Sequence, residues 1–216
     1  MKRMLATALA LTALACGAAP SGAEELKPVR LPPPRTEGGK PLMQALQLRA
    51  TSRAFAPDPL PLQTLADLLW AAWGINRAGE GKRTAPSARN WQEMDLLLVD
   101  AKGAWRYDAA GNSLEPLVAG DLRALTGAQD FVKDAPLTLV FVADPARMKG
   151  AEAASIEAYA YADAAFISQN VYLFCASEGL ATGVRAMLDR PALAKALGLG
   201  ADRIVVFAQS VGYPRR

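Results

Sequence analysis

The stretch Ser155–Glu178, which reads SIEAYAYADAAFISQNVYLFCASE, is the longest helical pattern in the chain. Gly179 follows it, and glycine is typical of the position just after a helix. Gln169 and Asn170 interrupt the apolar residues, so we expect these amides to be bonded in the interior, at an interface or to a ligand. Small side chains recur along the helix and permit a second helix to approach closely, as in a dimer interface. They are Ala158, Ala160, Ala162, Ala164 and Ala165.

Apolar stretches on both sides of this helix predict buried strands. They are Met94–Asp100, Ala104–Tyr107, Ser113–Val118, Leu137–Ala143 and Ile204–Val211. The residues Asp108–Asn112, between the second and third of these stretches, indicate a hairpin turn. A hairpin, separated strands and one long helix fit an α+β fold better than a regular alternation of strands and helices.

Shorter helices are indicated by residues typical of helix ends. Pro41 begins one that extends to about Arg49, and another covers Pro61–Trp73 before Gly74. A short helix is predicted at Asp121–Thr126, and Asp189 is a good N-cap for a last one. Residues 75–92 are polar, contain glycine and are rich in arginine, so they predict a loop.

The composition of the 216-residue chain excludes whole classes of chemistry. It contains no histidine, so Ser-His and Cys-His nucleophile pairs and an imidazole base are impossible. Its two cysteines, Cys16 and Cys175, are too few for a thiolate zinc site, and we expect no metal site. A formal net charge of +3 without a long basic run gives no reason to expect a nucleic-acid partner.

The N-terminus has the pattern of an export signal over residues 1–23. Lys2 and Arg3 precede an apolar stretch that is too short to span a bilayer, and small residues lead up to a cleavage site after Ala23. We therefore expect Sec export, a periplasmic location and no membrane span. Lipidation at Cys16 is the alternative, which Ala13 disfavours because leucine is usual three residues before a lipidated cysteine.

After the signal, residues 24–40 are rich in proline and glycine, so they predict an extended leader rather than a core element. Residues 41–216 show no internal repeat and no second boundary. We therefore expect them to form a single domain.

Three further segments carry groups that could bind a ligand. Arg49–Phe55, which reads RATSRAF, brings together two guanidinium groups and two hydroxyls, as in a phosphate site or at a solvated helix end. Pro86–Gln92, which reads PSARNWQ, offers amides and a hydroxyl to a heterocycle edge, or is a polar loop. Gly179–Asp189 leads from the long helix to the N-cap of the next, with exposed backbone N–H groups.

The order of these segments resembles the FMN-dependent nitroreductase family, and most closely its azoline-oxidase-like dehydrogenase branch. The resemblance covers about residues 41–214 and includes Leu68–Asn76, which reads LLWAAWGIN, and the closing Val211–Pro214. It implies a mostly antiparallel central sheet flanked by helices, and a homodimer with FMN at the subunit interface. The long helix resembles the central dimer helix of the family.

The resemblance also implies the role of individual residues. The FMN phosphate would be bound by Arg49, Ala50, Thr51 and Arg53, with the C-terminal Arg215 and Arg216 as further basic candidates. The isoalloxazine ring would be lined from the partner subunit by Pro86, Ser87, Ala88, Asn90 and Gln92. Backbone N–H groups near Ala186 and Met187 would face flavin N5, and Val184 begins the matching positions.

The implied activity is a two-electron oxidoreductase in which the chemistry belongs to the flavin. Its acceptor would be a nitroaromatic, a quinone or a similar small molecule, and NAD(P)H or another compound would be the donor. The alternatives are an exported flavin- or small-ligand-binding protein without turnover, an azoline-type dehydrogenase, and a pure interaction protein. Catalytic side chains are not identified by the sequence.

Overall fold

The computed structural model describes residues 25–215, so the predicted signal peptide, Cys16 and Arg216 lie outside the described residues. The centre of the fold is a seven-stranded sheet in which every neighbouring pair of strands is antiparallel. Its strands are β1 (Val29–Arg30), β4 (Met94–Asp100), β5 (Gly103–Asp108), β6 (Ser113–Ala119), β7 (Leu137–Ala143), β8 (Ala181–Arg185) and β9 (Ile204–Gly212). Their spatial order is β1-β6-β5-β4-β7-β9-β8.

Four α-helices lie in the described part of the chain. They are α1 (Leu42–Leu48), α2 (Leu62–Trp73), α3 (Ala153–Glu178) and α4 (Arg190–Ala196). Together with the sheet they confirm the predicted α+β fold with helices flanking an antiparallel sheet. Among residues 25–215, no helix combines the length and the apolar character that crossing a membrane requires.

The middle of the sheet is buried on both faces because its strands are apolar at successive positions. In β7, Leu139 and Phe141 face the cluster that α2 and α3 cover, whereas Val140 and Val142 face the cluster that α4 covers. Successive side chains of a strand point to opposite faces, so this division follows from the alternation itself. The apolar run at 137–143 therefore supplies both halves of the core.

Helix α3 packs against the sheet and against α1 and α2. Ala160 and Ala164 are fully buried, so part of the alanine row allows the helix to approach the core of its own chain. Ala158, Ala162 and Ala165 are exposed, and so is Gln169, which excludes a core role for that amide within one chain. The helix ends at Gly179, whose φ of 71° is left-handed and suits glycine.

Several local predictions need correction. The leader is extended, but Val29–Arg30 pairs with β6, and Leu31 is buried in the core because its side chain lies against the sheet. Residues 75–92 are not all loop, since β2 (Ile75–Arg77) and β3 (Lys82–Arg83) pair as a small hairpin. The expected α-helix at 121–126 is a 3₁₀ turn, Arg123–Thr126.

The stretch after Gly179 was expected to be a turn with exposed backbone, and most of it is strand β8. Residues Ala181–Arg185 pair with β9 along their whole length, which satisfies one side of their backbone. The free edge of β8 borders the candidate site. The exposed turn begins only at Ala186.

Candidate active site

The segment that follows α1 runs along the free edge of β8. The amide of Ser52 donates to the carbonyl of Thr182 at 2.8 Å, and Phe55 forms a bridge with Pro214. Gly183 is required at this contact, because a Cβ at that position would lie 2.8 Å from the Ser52 carbonyl oxygen. The close approach of the two backbones fixes the position of the Arg49–Arg53 side chains.

Tyr172 of α3 connects this segment to β8. Its hydroxyl oxygen lies 3.0 Å from Thr51 Oγ1 and also accepts a hydrogen bond from the Val184 amide at 3.0 Å. The Arg49 guanidinium lies over the Tyr172 ring, 5.4 Å from its centroid, which is a cation–π geometry. The Tyr172 side chain is buried, so these contacts hold Arg49 and Thr51 at the surface above a rigid helix.

Three arginines lie on this segment or contact it. Arg53 is exposed, Arg49 is half-buried, and Arg215 is exposed at the other end of the chain. Arg215 is held here by its amide, which donates to the Ala54 carbonyl, and by its Nε, which donates to the Phe55 carbonyl at 3.1 Å. The structure therefore brings the predicted C-terminal arginine to the predicted phosphate segment.

The turn after β8 exposes backbone donors on the same edge of the sheet. Among residues 25–215, the amides of Ala186 and Met187 donate no hydrogen bond to the protein, whereas the Met187 carbonyl accepts from Ala128 at 3.2 Å. The Asp189 carboxylate caps α4 by accepting from the Ala192 amide at 3.0 Å. The turn is anchored on both sides, and its two free N–H groups suit an electron-rich ligand atom.

The segment Pro86–Gln92 has a strained backbone. Arg89, Asn90 and Gln92 have φ values of 50°, 56° and 49°, a left-handed conformation that costs energy for residues other than glycine. Hydrogen bonds within the segment hold this shape: the Ser87 hydroxyl accepts from the Gln92 amide at 2.8 Å, and Gln92 Nε2 donates to Asn90 Oδ1 at 3.0 Å. Non-glycine residues in this conformation cluster at ligand-binding sites.

Two buried acids hold the start of this segment. Glu93 is fully buried, and its Oε2 accepts from the Ser87 hydroxyl at 3.1 Å. Asp163 of α3 is also buried, and its Oδ2 accepts from the Ala88 amide at 2.9 Å. Burial and the neighbouring Asp163 raise the pKa of Glu93 to about 7.

One chain does not bring all the predicted residues together. The Pro86–Gln92 segment contacts α3 at Asp163, whereas the Arg49–Arg53 segment contacts the same helix at Tyr172. Nine residues of helix separate these points by about 14 Å at 1.5 Å per residue. In the described chain the two parts are therefore distinct surfaces.

The sequence of the chain matches a family model, described as the nitroreductase family, over residues 46–213. The protein belongs to the nitroreductase family. The resemblance of the ordered segments to this family is thereby confirmed.

Individual nitroreductase relatives agree with this membership. A crystal structure assigned to the nitroreductases from Ralstonia eutropha is similar at 41% identity and a TM-score of 0.85, over 90% of this chain and 91% of that one. A protein assigned to the nitroreductases from Methanocaldococcus jannaschii is 26% identical over 65% of this chain and 76% of its own length. A nitroreductase-family structure from Desulfovibrio desulfuricans, in complex with FMN, shares the fold at 20% identity and a TM-score of 0.60, over 83% and 89% of the two chains.

Membership in the nitroreductase family places the protein among flavin-dependent oxidoreductases. None of the site residues carried over from the family resemblance is tested by these comparisons, so their roles stay predictions. What the structure adds is their surroundings: a basic surface at Arg49, Thr51, Arg53 and Arg215, next to the free amides of the turn after β8.

Three polar groups near this nitroreductase site were not singled out from the sequence, namely Tyr172, Glu93 and Arg185. Arg185 is buried, and its guanidinium donates to Thr126 and to the Ser210 hydroxyl at 2.8–2.9 Å. Burial lowers its pKa to about 10. Glu93, an acid adjoining a buried strand, could have been found from its position, whereas nothing marks Tyr172 among the five tyrosines.

Proposed function

We propose that the protein is an FMN-dependent oxidoreductase whose phosphate site is formed by Arg49, Thr51, Arg53 and Arg215. The donor set of this chain fits such a group, because guanidinium groups and a hydroxyl bind phosphate oxygens through charge-assisted hydrogen bonds. Arg53 and Arg215 are exposed and no ion pair occupies Arg49, Arg53 or Arg215 within the described residues. Their charges are therefore available to an anion.

The observation that carries this proposal is the Tyr172 hydroxyl, which joins the phosphate segment to β8. Thr51 and Val184 are both within 3.0 Å of it, and Val184 is two residues before the free amides of Ala186 and Met187. Tyr172 thus sets the distance between the phosphate site at Thr51 and the two backbone donors, which suit an electron-rich ring. FMN has a phosphate at one end and such a ring at the other.

When bound, FMN supplies two-electron chemistry at its N5 atom, which no side chain of this chain can supply. The Ala186 and Met187 amides would stabilise negative charge on the reduced ring. Because the cofactor carries the reaction, the absence of histidine from the sequence is compatible with catalysis. The acceptor we propose is a nitroaromatic, a quinone or a similar small molecule, with NAD(P)H or another reductant as donor.

The proposal includes a homodimer in which Pro86–Gln92 of one chain completes the flavin site of the other. Apolar side chains of α1 and α3 stay exposed in the single chain. They are Leu42 (63%), Met43 (75%), Leu46 (43%), Leu48 (48%), Tyr159 (40%) and Phe166 (49%). Exposed apolar surface of this extent is typical of a protein–protein interface. The helical face is therefore the surface we assign to the second copy.

A spectrum of the purified protein tests the function directly. A yellow protein that is bleached anaerobically by NADH or NADPH and recovers its colour with a nitroaromatic or a quinone supports the proposed activity. A colourless protein that takes up no FMN on titration contradicts it.

The proposed export has its own test. Mass spectrometry of the periplasmic fraction would show a chain that begins at Glu24, whereas a lipidated Cys16 would show the alternative processing.

A second candidate function is flavin or small-ligand binding without turnover. It is favoured by the predicted export signal, because nicotinamide donors are scarce outside the cytoplasm. Flavin that is neither reduced by any donor nor reoxidised by acceptors would support binding alone. The predicted export disfavours an azoline-type dehydrogenase, because that activity operates within a multi-protein complex. Oxidation of a peptide azoline by the purified protein would support this activity.

A further inference from the structure

The carboxyl group of Glu93 has too few partners for a buried anion. Its side chain is fully buried, its Oε2 accepts from the Ser87 hydroxyl, and its own backbone amide is a second neutral donor to the carboxyl group. The other oxygen, Oε1, is buried without a hydrogen-bond donor among the described residues. A fully buried carboxylate that has neutral donors and no cation beside it is unfavourable, so the group must be compensated in another way.

Asp163 supplies the missing partner. The two acids lie side by side, because they hold the consecutive residues Ser87 and Ala88, and Asp163 is itself buried with the Ala88 amide on Oδ2. Two adjacent buried carboxyl groups cannot both ionise at low cost, because like charges repel strongly where water is excluded. A proton on Glu93 removes the repulsion and makes the carboxyl group a hydrogen-bond donor.

The nearby cations are engaged elsewhere. Arg147 and Arg203 form ion pairs with Asp95 and Asp144 at distances of 2.5–3.1 Å. Arg83 donates to the side-chain oxygen of Gln92 and to the Trp73 carbonyl, and Arg89 to the Gly150 carbonyl. Among the charged groups of α3, Asp163 is the one that affects the pKa of Glu93.

We propose that Glu93 and Asp163 share one proton and, as a pair of positioning residues, hold the Ser87–Ala88 peptide in its binding conformation. Each acid holds one of the two consecutive residues, Glu93 through the Ser87 hydroxyl and Asp163 through the Ala88 amide. The inference rests on the proposed function, in which this segment lines the flavin ring. Loss of the shared proton adds a second negative charge beside Asp163, which separates the two acids and releases the segment.

The ionisation of the pair can be measured without any cofactor. Infrared titration of the purified flavin-free protein should show a protonated carboxyl band that disappears with a midpoint near pH 7, and the Ala88 amide resonance should shift with the same midpoint. Both signals should be absent in Glu93→Gln, whose amide cannot ionise. In Asp163→Asn the midpoint should fall, because the repelling charge is gone. A wild-type protein without such a titration, or a Glu93→Gln protein that retains it, would overturn the shared proton.

The positioning role is tested by FMN affinity as a function of pH. Wild type should bind several-fold more weakly at about pH 8.5 than at about pH 6.5, whereas Glu93→Gln should keep the affinity of the protonated form throughout. The FMN phosphate titrates near pH 6 in every variant, so the comparison is between variants at one pH. Glu115→Gln is the matched control, because Glu115 also accepts a serine hydroxyl, from Ser113 at 2.6 Å, on distant β6.

The outcomes separate this inference from the cofactor assignment. Equal pH dependence of FMN affinity in wild type and Glu93→Gln would contradict the positioning role. If no variant binds FMN at any pH, the proposed cofactor is wrong, and the carboxyl band and the Ala88 resonance still decide whether the pair holds the segment. If the FMN affinity of Glu115→Gln depends on pH as it does in wild type, the inference is supported. If the Glu115→Gln variant loses this pH dependence, the inference is contradicted.

Discussion

The hydroxyl of Tyr172 lies 3.0 Å from the hydroxyl of Thr51, although 121 residues separate them in the sequence. The Tyr172 hydroxyl also accepts a hydrogen bond from the Val184 amide, so one buried group joins the two segments. Either hydroxyl can donate in the contact between Tyr172 and Thr51, since each has one proton and two lone pairs. The contact fixes the position of the Thr51 hydroxyl at the surface.

Replacing Tyr172 by phenylalanine should weaken FMN binding about tenfold, equal to about 1.4 kcal/mol, because Val184 and Thr51 lose a shared partner. Isothermal titration with FMN and with riboflavin, which lacks the phosphate, measures the effect. Tyr107→Phe is the control, since Tyr107 is on β5, which three other strands separate from β8. Unchanged FMN affinity in Tyr172→Phe would show that the hydroxyl does not organise the site.

Removing both Arg49 and Arg53 by alanine substitution should weaken FMN binding by at least about a hundredfold, because each charge-assisted contact contributes about 1.5–3 kcal/mol. Riboflavin affinity should change little, which separates loss of the phosphate site from loss of the fold. Arg106→Ala, at an exposed position of β5, serves as the matched control. Retention of FMN by the double variant would place the phosphate elsewhere.

Introducing a charge at Phe166, as Phe166→Lys, should convert the dimer to a monomer and release flavin at the same protein concentration. The side chain is 49% exposed on α3, and burying a lysine in an apolar interface is costly. Sedimentation and flavin fluorescence over a dilution series measure both properties. Leu117→Lys is the control on β6, where the leucine is 39% exposed. FMN affinity that is independent of association would contradict a site shared between chains.

The stability of the protein should depend on the protonation of Glu93. Because the folded-state pKa is raised from 4.5 to about 7, the neutral acid's contribution is fully present below about pH 4.5 and is lost as the pH rises through 7. Urea unfolding of wild type and Glu93→Gln should therefore diverge between these pH values, with wild type losing stability as the pH increases. Parallel pH profiles of the two proteins would show that Glu93 ionises normally.

Replacing Arg185 by alanine should destabilise the protein by about 2–4 kcal/mol, because the buried oxygens that accept its hydrogen bonds lose their donor. The guanidinium bonds to both the carbonyl and the hydroxyl of Thr126 and to the Ser210 hydroxyl. Chemical denaturation measures the change, with Arg106→Ala, an exposed arginine, expected to stay within about 0.5 kcal/mol of wild type. If Arg185→Ala lowers the free energy of unfolding as little as the control does, the structural role of Arg185 is contradicted.

Local patterns determined most of the elements. The apolar runs at 94–100 and 137–143 match strands β4 and β7 residue for residue, and α2 begins and ends within one residue of its predicted limits. Strand β8 was missed because Ala181–Arg185 contains Gly183 and a charged residue and follows directly on a helix end. Its strand character comes from pairing with β9, a contact distant in sequence.

The sequence by itself determined the fold class, the family and the order of the segments that carry the site, because periodicity and motif spacing are local properties of the chain. Only the tertiary structure decided that Tyr172 joins Thr51 to Val184, and that Glu93 and Asp163 hold the consecutive residues Ser87 and Ala88. These relationships depend on which side chains of α3 meet distant loops, and on how much water their burial removes. Protonation depends on that burial, so neighbouring residues in the sequence could not predict it.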